Sequence, residues 1–157
     1  MAEYKNKKII VESIIPGPFD PERKSKRGLK NLEKRIAPLV YALRKTGYIS
    51  TFSSCQGHYL STDKENHKAI VYFRLKKGSE YKFKGLMDSI FKKTALQYGY
   101  IVEFANRYLV MPGDSKPDQH WKIEIYPWIE SLSHEVKRQF TDKAIKRITE
   151  IIEDETL

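Results

Sequence analysis

Apolar residues recur along this chain with two different periods, and the switches between them lay out the elements. Residues 7–15 (KKIIVESII) are dense in β-branched side chains and stop at Pro16-Gly17-Pro18, which predicts a strand. Leu29, Leu32, Ile36, Leu39, Val40 and Leu43 then return every three or four positions, with Lys30, Lys34, Arg35 and Arg44 on other faces, as in an amphipathic helix. Pro38 either kinks that helix or begins a second short one, because proline lacks the backbone N–H and crowds the preceding turn. Gly47 is placed to cap the C-terminal end.

The segment YISTFS, from Tyr48, reads as a strand and runs into Ser53-Ser54-Cys55-Gln56-Gly57-His58. Residues 61–68 form a polar loop, and 69–75 (AIVYFRL) return as a strand. Ser79 is expected to cap a helix reaching about Gln97, with Phe83, Leu86, Met87, Ile90 and Phe91 facing inward and Gly99 ending it. The runs YIVEF and RYLVM suggest a hairpin with Asn106 near its turn. After the loop PGDSKPDQ, the strand HWKIEIY alternates Trp121, Ile123 and Ile125 against Lys122 and Glu124. A last helix over about 131–153 carries Leu132, Val136, Phe140, Ile145, Ile148 and Ile152. There is no internal repeat and no regular β-α-β-α alternation. The expected fold is therefore α+β: a single domain over residues 1–157, with a mixed or largely antiparallel sheet and about three helices packed on it.

Length and charge narrow the picture further. At 157 residues the chain suits one core. No run reaches the ~18 apolar residues of a membrane span, and Glu12 and Ser13 interrupt the N-terminal apolar stretch, which lacks a cleavage site for secretion. The single cysteine excludes an internal disulfide and suits a reducing cytoplasm, with neither a membrane nor a disulfide-linked partner expected. Of the net charge of +9, much lies in residues 1–50, where twelve Lys/Arg face five Asp/Glu. The densest run is RKSKRGLKNLEKR. Such a field draws polyanions and weakens as salt rises, which makes Lys24, Lys26, Arg27, Lys30, Lys34 and Arg35 candidates for gripping RNA phosphates. The competing explanation is a lysine-rich solvated surface.

Candidate chemistry gathers at residues 53–58. Gly57 can adopt a positive φ and let backbone N–H groups converge on an anion. The Ser53 and Ser54 hydroxyls and the Gln56 amide add ligand-binding groups. Cys55 could supply a thiolate and His58 could move a proton, so these two are the catalytic candidates. Equally, Cys55 can be a small buried hydrophobe and His58 a cap on strand-end backbone groups. No third group that would orient a Cys/His hydrolase can be identified. Cys55, His58, His67 and His120 match no recognised zinc spacing, so no metal is expected. Walker and G-x-G-x-x-G loops are absent from the sequence, which disfavours a Rossmann-type cofactor domain. Trp121, Pro127 and Trp128 read first as cover for a core edge, with His120 able to reach the 53–58 loop if that region is functional.

Residues 24–58, KSKRGLKNLEKRIAPLVYALRKTGYISTFSSCQGH, resemble the N-terminal signature of the wybutosine-synthesis tRNA methyltransferase family. The likeness is carried by the Leu39-Val40 pair, the following strand and Ser53-Ser54-Cys55, with Gln56 and His58 standing where that family has a small residue and an arginine. It implies an RNA partner, tRNA in particular. It also implies S-adenosylmethionine as methyl donor, held with the target base at residues 53–58, and an RNA-facing basic stretch from Lys24 to Arg35. The alternatives are a non-catalytic RNA- or polyanion-binding module using the same loop, and a small Cys/His hydrolase.

Overall fold

The computed structural model describes residues 32–57, 68–95, 99–110, 112–113, 117–129 and 131–157. The expected strand at 7–15, Leu29 of the first helix, most of the 61–68 loop and the helix end near Gln97 lie outside them. The described elements follow the order α1 (Ala37–Lys45), β1 (Ile49–Cys55), β2 (Ala69–Leu75), α2 (Glu80–Thr94), β3 (Tyr100–Leu109), β4 (Asp118–Pro127) and α3 (His134–Thr156). The strands form one antiparallel sheet in the order β1-β2-β4-β3. The expected α+β class is what is found, with the sheet wholly antiparallel among the described residues.

Pro38 opens a helix instead of kinking one. It lies in the first turn of α1, where its missing N–H would have had no intrahelical partner in any case. At the other end Gly47 takes φ +81° just beyond the C-cap Thr46, the left-handed turn that releases the chain into β1. β2 coincides with its predicted span. α2 begins after Ser79, which caps it without a side-chain hydrogen bond, and Lys92 and Lys93 complement the dipole of its last turn. In α3 the Ser133 hydroxyl accepts from the Val136 N–H, a genuine N-cap.

Two expectations are corrected. The supposed hairpin around Asn106 is a single edge strand: β3 pairs with β4 without a break from Tyr100 opposite Pro127 to Leu109 opposite Asp118. Asn106 sits opposite Trp121 and accepts a hydrogen bond from Gln119, so its side chain is accommodated where an edge strand meets solvent. Phe91, expected inside, is 46% exposed; its ring instead stands edge-on against Phe104 of β3, 5.6 Å between centroids.

All three helices pack on one face of the sheet. Their apolar sides, with Leu39, Leu43, Phe83, Ile90, Ile145, Ile148 and Ile152, close on Val71, Phe73, Ile123 and Ile125. Trp121 packs against this core, its ring 4.9 Å from Phe83, as cover for the core edge. The alternation of β4 is therefore two-sided. Trp121, Ile123 and Ile125 point at the helices, and Asp118, His120, Lys122, Glu124 and Tyr126 occupy the opposite face.

Candidate functional site

The loop after β1 is tied down by its own chain. The Gln56 N–H donates to Glu33 Oε1 at 2.9 Å, and the Arg35 N–H donates to Gln56 Oε1 at 3.0 Å. Arg35 Nη2 donates to the Gln56 carbonyl at 3.3 Å and to the Gly57 carbonyl. Its Nη1 stands 3.6 Å from Asp142 Oδ1 on α3. Arg35, a candidate phosphate contact, is thus a clamp that joins the strand end to α3. Carbonyls leaving a sheet need donors, and a guanidinium supplies several at once. Lys34 is exposed; Lys24, Lys26, Arg27 and Lys30 lie outside the described residues.

The two serines do not converge. Ser53 stands opposite Tyr72 and Ser54 opposite Val71, so their hydroxyls leave β1 on opposite faces. Gly57 does take the expected positive φ, +81°. Cys55 is half-buried, and His58 lies outside the described residues, so their juxtaposition is not defined. Nor does His120 complete a pair with Cys55. Cys55 faces Ile70, which faces Glu124, whereas His120 is four residues further along β4, about 13 Å at strand spacing. For S-adenosylmethionine, the described part of the loop offers one hydroxyl to each face and a Gln56 side-chain amide whose oxygen already accepts from the Arg35 N–H. These groups form no cradle for the cofactor by themselves.

What the fold does assemble is a polar and aromatic face away from the helices. A bulge between Thr51 and Ser53 turns Phe52 onto it. There the Phe52 ring meets His120 at 5.3 Å and carries the Arg74 guanidinium 4.1 Å from its centroid. Arg74 grips Asp118 with two bonds, Nε to Oδ1 at 3.2 Å and Nη2 to Oδ2 at 2.8 Å. Arg107 lies directly across from His120 and over the Tyr72 ring, 5.4 Å from its centroid. Toward the other end of β4, Lys122 donates to Glu124 Oε1 at 2.6 Å and Lys68 donates to Glu124 Oε2 at 3.4 Å. Lys68 also stands over Tyr126, 4.4 Å from its centroid, and the Tyr126 hydroxyl donates to Glu103 at 3.2 Å.

No family model, curated protein or solved structure matches this chain.

The electrostatics of the face follow from burial. His120 is 2% exposed. Desolvation drives its imidazole below the ordinary histidine range; the Asp118 carboxylate opposes this, and Arg107 and Arg74 add to the depression. Its Nδ1 lies 3.4 Å from Asp118 Oδ2, too poorly aligned for a hydrogen bond, and has no other partner among the described residues. Burial pushes the Glu124 carboxyl up, but the hydrogen bonds and charge of Lys122 and Lys68 outweigh this and hold it below the usual carboxylate range. Among the described residues, no group of three or more His, Cys, Asp or Glu side chains could hold a metal ion, and no helix is long and apolar enough to cross a membrane.

This face is what sequence reasoning missed. Its signal was present in the alternation that identified β4. The polar half, continued back through His120 to Asp118, places an acid, an imidazole, a cation and a second acid on one side of one strand. The arginines opposite them come from β2 and β3 and depend on register, which the linear pattern does not reveal.

Proposed function

We propose that this chain binds unpaired RNA on the sheet face opposite its helices, with tRNA as the expected partner. The observation that carries the reading is the set of three cation–ring stacks on that one face: Arg74 on Phe52, Arg107 on Tyr72 and Lys68 on Tyr126. Four-stranded sheets bind single strands by stacking bases on aromatic side chains, while neighbouring cations meet the phosphates. The net charge of +9 supplies a long-range attraction. The resemblance to the wybutosine-synthesis family supports the same class of partner.

The test is a titration with labelled tRNA and with a single-stranded oligoribonucleotide at about 50 and about 200 mM salt. Affinity should fall steeply between the two. Replacing Tyr72 by Leu should cost about one stacked base, ~1–3 kcal/mol, whereas Lys92→Gln on the exposed side of α2 should leave binding intact. Affinity indifferent to salt, or a Tyr72 variant that binds like the wild type, overturns the reading. Adenosylmethionine is a parallel arm: a melting temperature raised by millimolar cofactor adds methyl transfer to binding, and an unmoved one leaves a binding module.

A further inference from the structure

We propose that Arg107, His120 and Arg74 form a phosphate seat at one end of this face, in which His120 takes up a proton from solvent as a phosphate group docks. The inference rests on the RNA-binding reading and adds to it a place and a protonation event.

It starts from an imbalance of charge. Arg74 is matched by Asp118 through two hydrogen bonds. Arg107 engages the Tyr72 ring and has no carboxylate partner among the described residues. With His120 neutral, the cluster of Arg74, Arg107 and Asp118 keeps one uncompensated positive charge. An arriving phosphate oxygen finds that charge on the half-buried Arg107 guanidinium, whose planar fork suits phosphate.

The second element is the imidazole itself. Its Nδ1 is buried without a hydrogen-bond partner and faces Asp118 Oδ2 at 3.4 Å. The groups around the ring are Asp118 on its own strand, Arg74 and Tyr72 on β2, Arg107 on β3 and Phe52 on β1. In the free protein burial opposes protonation of His120, and the two arginines add to it. A phosphate on Arg107 cancels the one of the two that has no carboxylate partner among the described residues. The imidazolium then has Asp118, 3.4 Å from its Nδ1, and the phosphate as counter-charges. No covalent step is involved; one proton moves from buffer to ring.

Calorimetric titration of the full chain with an oligoribonucleotide ending in a 5′-hydroxyl tests this, because its phosphodiesters do not titrate near neutrality. The same titration is run in two buffers of different ionisation enthalpy. Proton uptake on binding is expected, at most about one per site, with affinity rising as pH falls from about 8 to about 6 by at most ~10-fold per unit. Arg107→Gln should weaken binding, abolish the uptake and raise the titration midpoint of His120 in the free protein, followed through its ring proton resonance. His120→Gln should bind without proton uptake. If that variant fails to fold, the Arg107 result and the wild-type proton count still decide. A matched oligonucleotide with a 5′-phosphate distinguishes the source: tighter binding assigns the seat to a terminal monoester, equal binding to an internal diester. RNA that binds without proton uptake overturns the seat alone; RNA that does not bind overturns the functional reading and the seat with it.

Discussion

Replacing Arg35 by Met separates two roles that one arginine could play. The substitution keeps the aliphatic stem and removes the guanidinium, with its bonds to the Gln56 and Gly57 carbonyls and its ion pair with Asp142. The main-chain bond from the Arg35 N–H to Gln56 Oε1 survives. Hydrogen bonds to a charged donor contribute about 1.5–3 kcal/mol each, reduced here because the side chain is 24% exposed and one nitrogen serves both carbonyls. The Asp142 pair, long and partly solvated, adds ~0–1 kcal/mol. The expected loss is about 2–3 kcal/mol, and for a chain of this size it should lower the melting temperature by about 5–10 °C. Urea unfolding followed by circular dichroism should show a lower midpoint with an unchanged slope. A loss under about 0.5 kcal/mol, within the range of an ordinary surface change, refutes the clamp. If RNA affinity and its salt dependence fall while stability holds, Arg35 is a phosphate contact instead.

Gly99→Ala should destabilise by about 2–3 kcal/mol in thermal unfolding, because Gly99 sits at φ +99° and a Cβ there would lie 2.9 Å from the Phe140 ring of α3. Gly47→Ala, at φ +81° but in open space, should cost about 1 kcal/mol. Asp118→Asn strands a guanidinium that is 12% exposed and should cost about 3–5 kcal/mol in urea unfolding, whereas Arg74→Met with Asp118→Leu should recover most of that stability and still bind RNA poorly. Stability should also fall with acid in a window set by His120. Its folded-state imidazole titrates lower than the unfolded one, so the unfolded chain binds more protons below about pH 6.5. Stability is then complete above that value and is lost as pH falls toward the folded value, by at most ~1.4 kcal/mol per unit. Denaturant midpoints of the wild type minus those of His120→Gln isolate this from Glu124, whose depressed carboxyl acts in the same direction at lower pH.

Much of the fold was legible because its core is written in periodicity. β2 reads as a strand from seven residues alone, and the helical spacing of Ile145, Ile148 and Ile152 matches the buried side of α3. Asn106 misled because a residue type common in turns also fits an edge strand, where its side chain meets water and Gln119 instead of a packed neighbour. The 53–58 loop drew attention through its residue types, and those types say nothing about which face of a strand each one leaves. Alternation alone sends Ser53 and Ser54 apart, yet that consequence needs the strand to continue through Cys55, beyond the YISTFS segment. Arg35 was legible as a cation but not as a clamp, since its partners lie 21 and 22 residues along the chain and on α3.

The polar half of β4 is the harder thing to explain as structure alone. Buried ion pairs are weak contributors to stability, and apolar replacements of similar volume often do as well or better. A sheet face crossed by Phe52, Ile70 and Tyr72 could have been completed with hydrocarbon, as its other face is. Instead the chain buries His120, Glu124 and the side chain of Asp118 there and surrounds them with Arg74, Arg107, Lys68 and Lys122. Lys68 and Lys122 share Glu124 and Arg74 takes Asp118; at the Asp118 end the surplus falls on Arg107, beside an imidazole held short of its proton. A purely structural network gains nothing from that surplus, because an unmatched cation near a buried neutral histidine stabilises neither. An anion arriving from outside completes both.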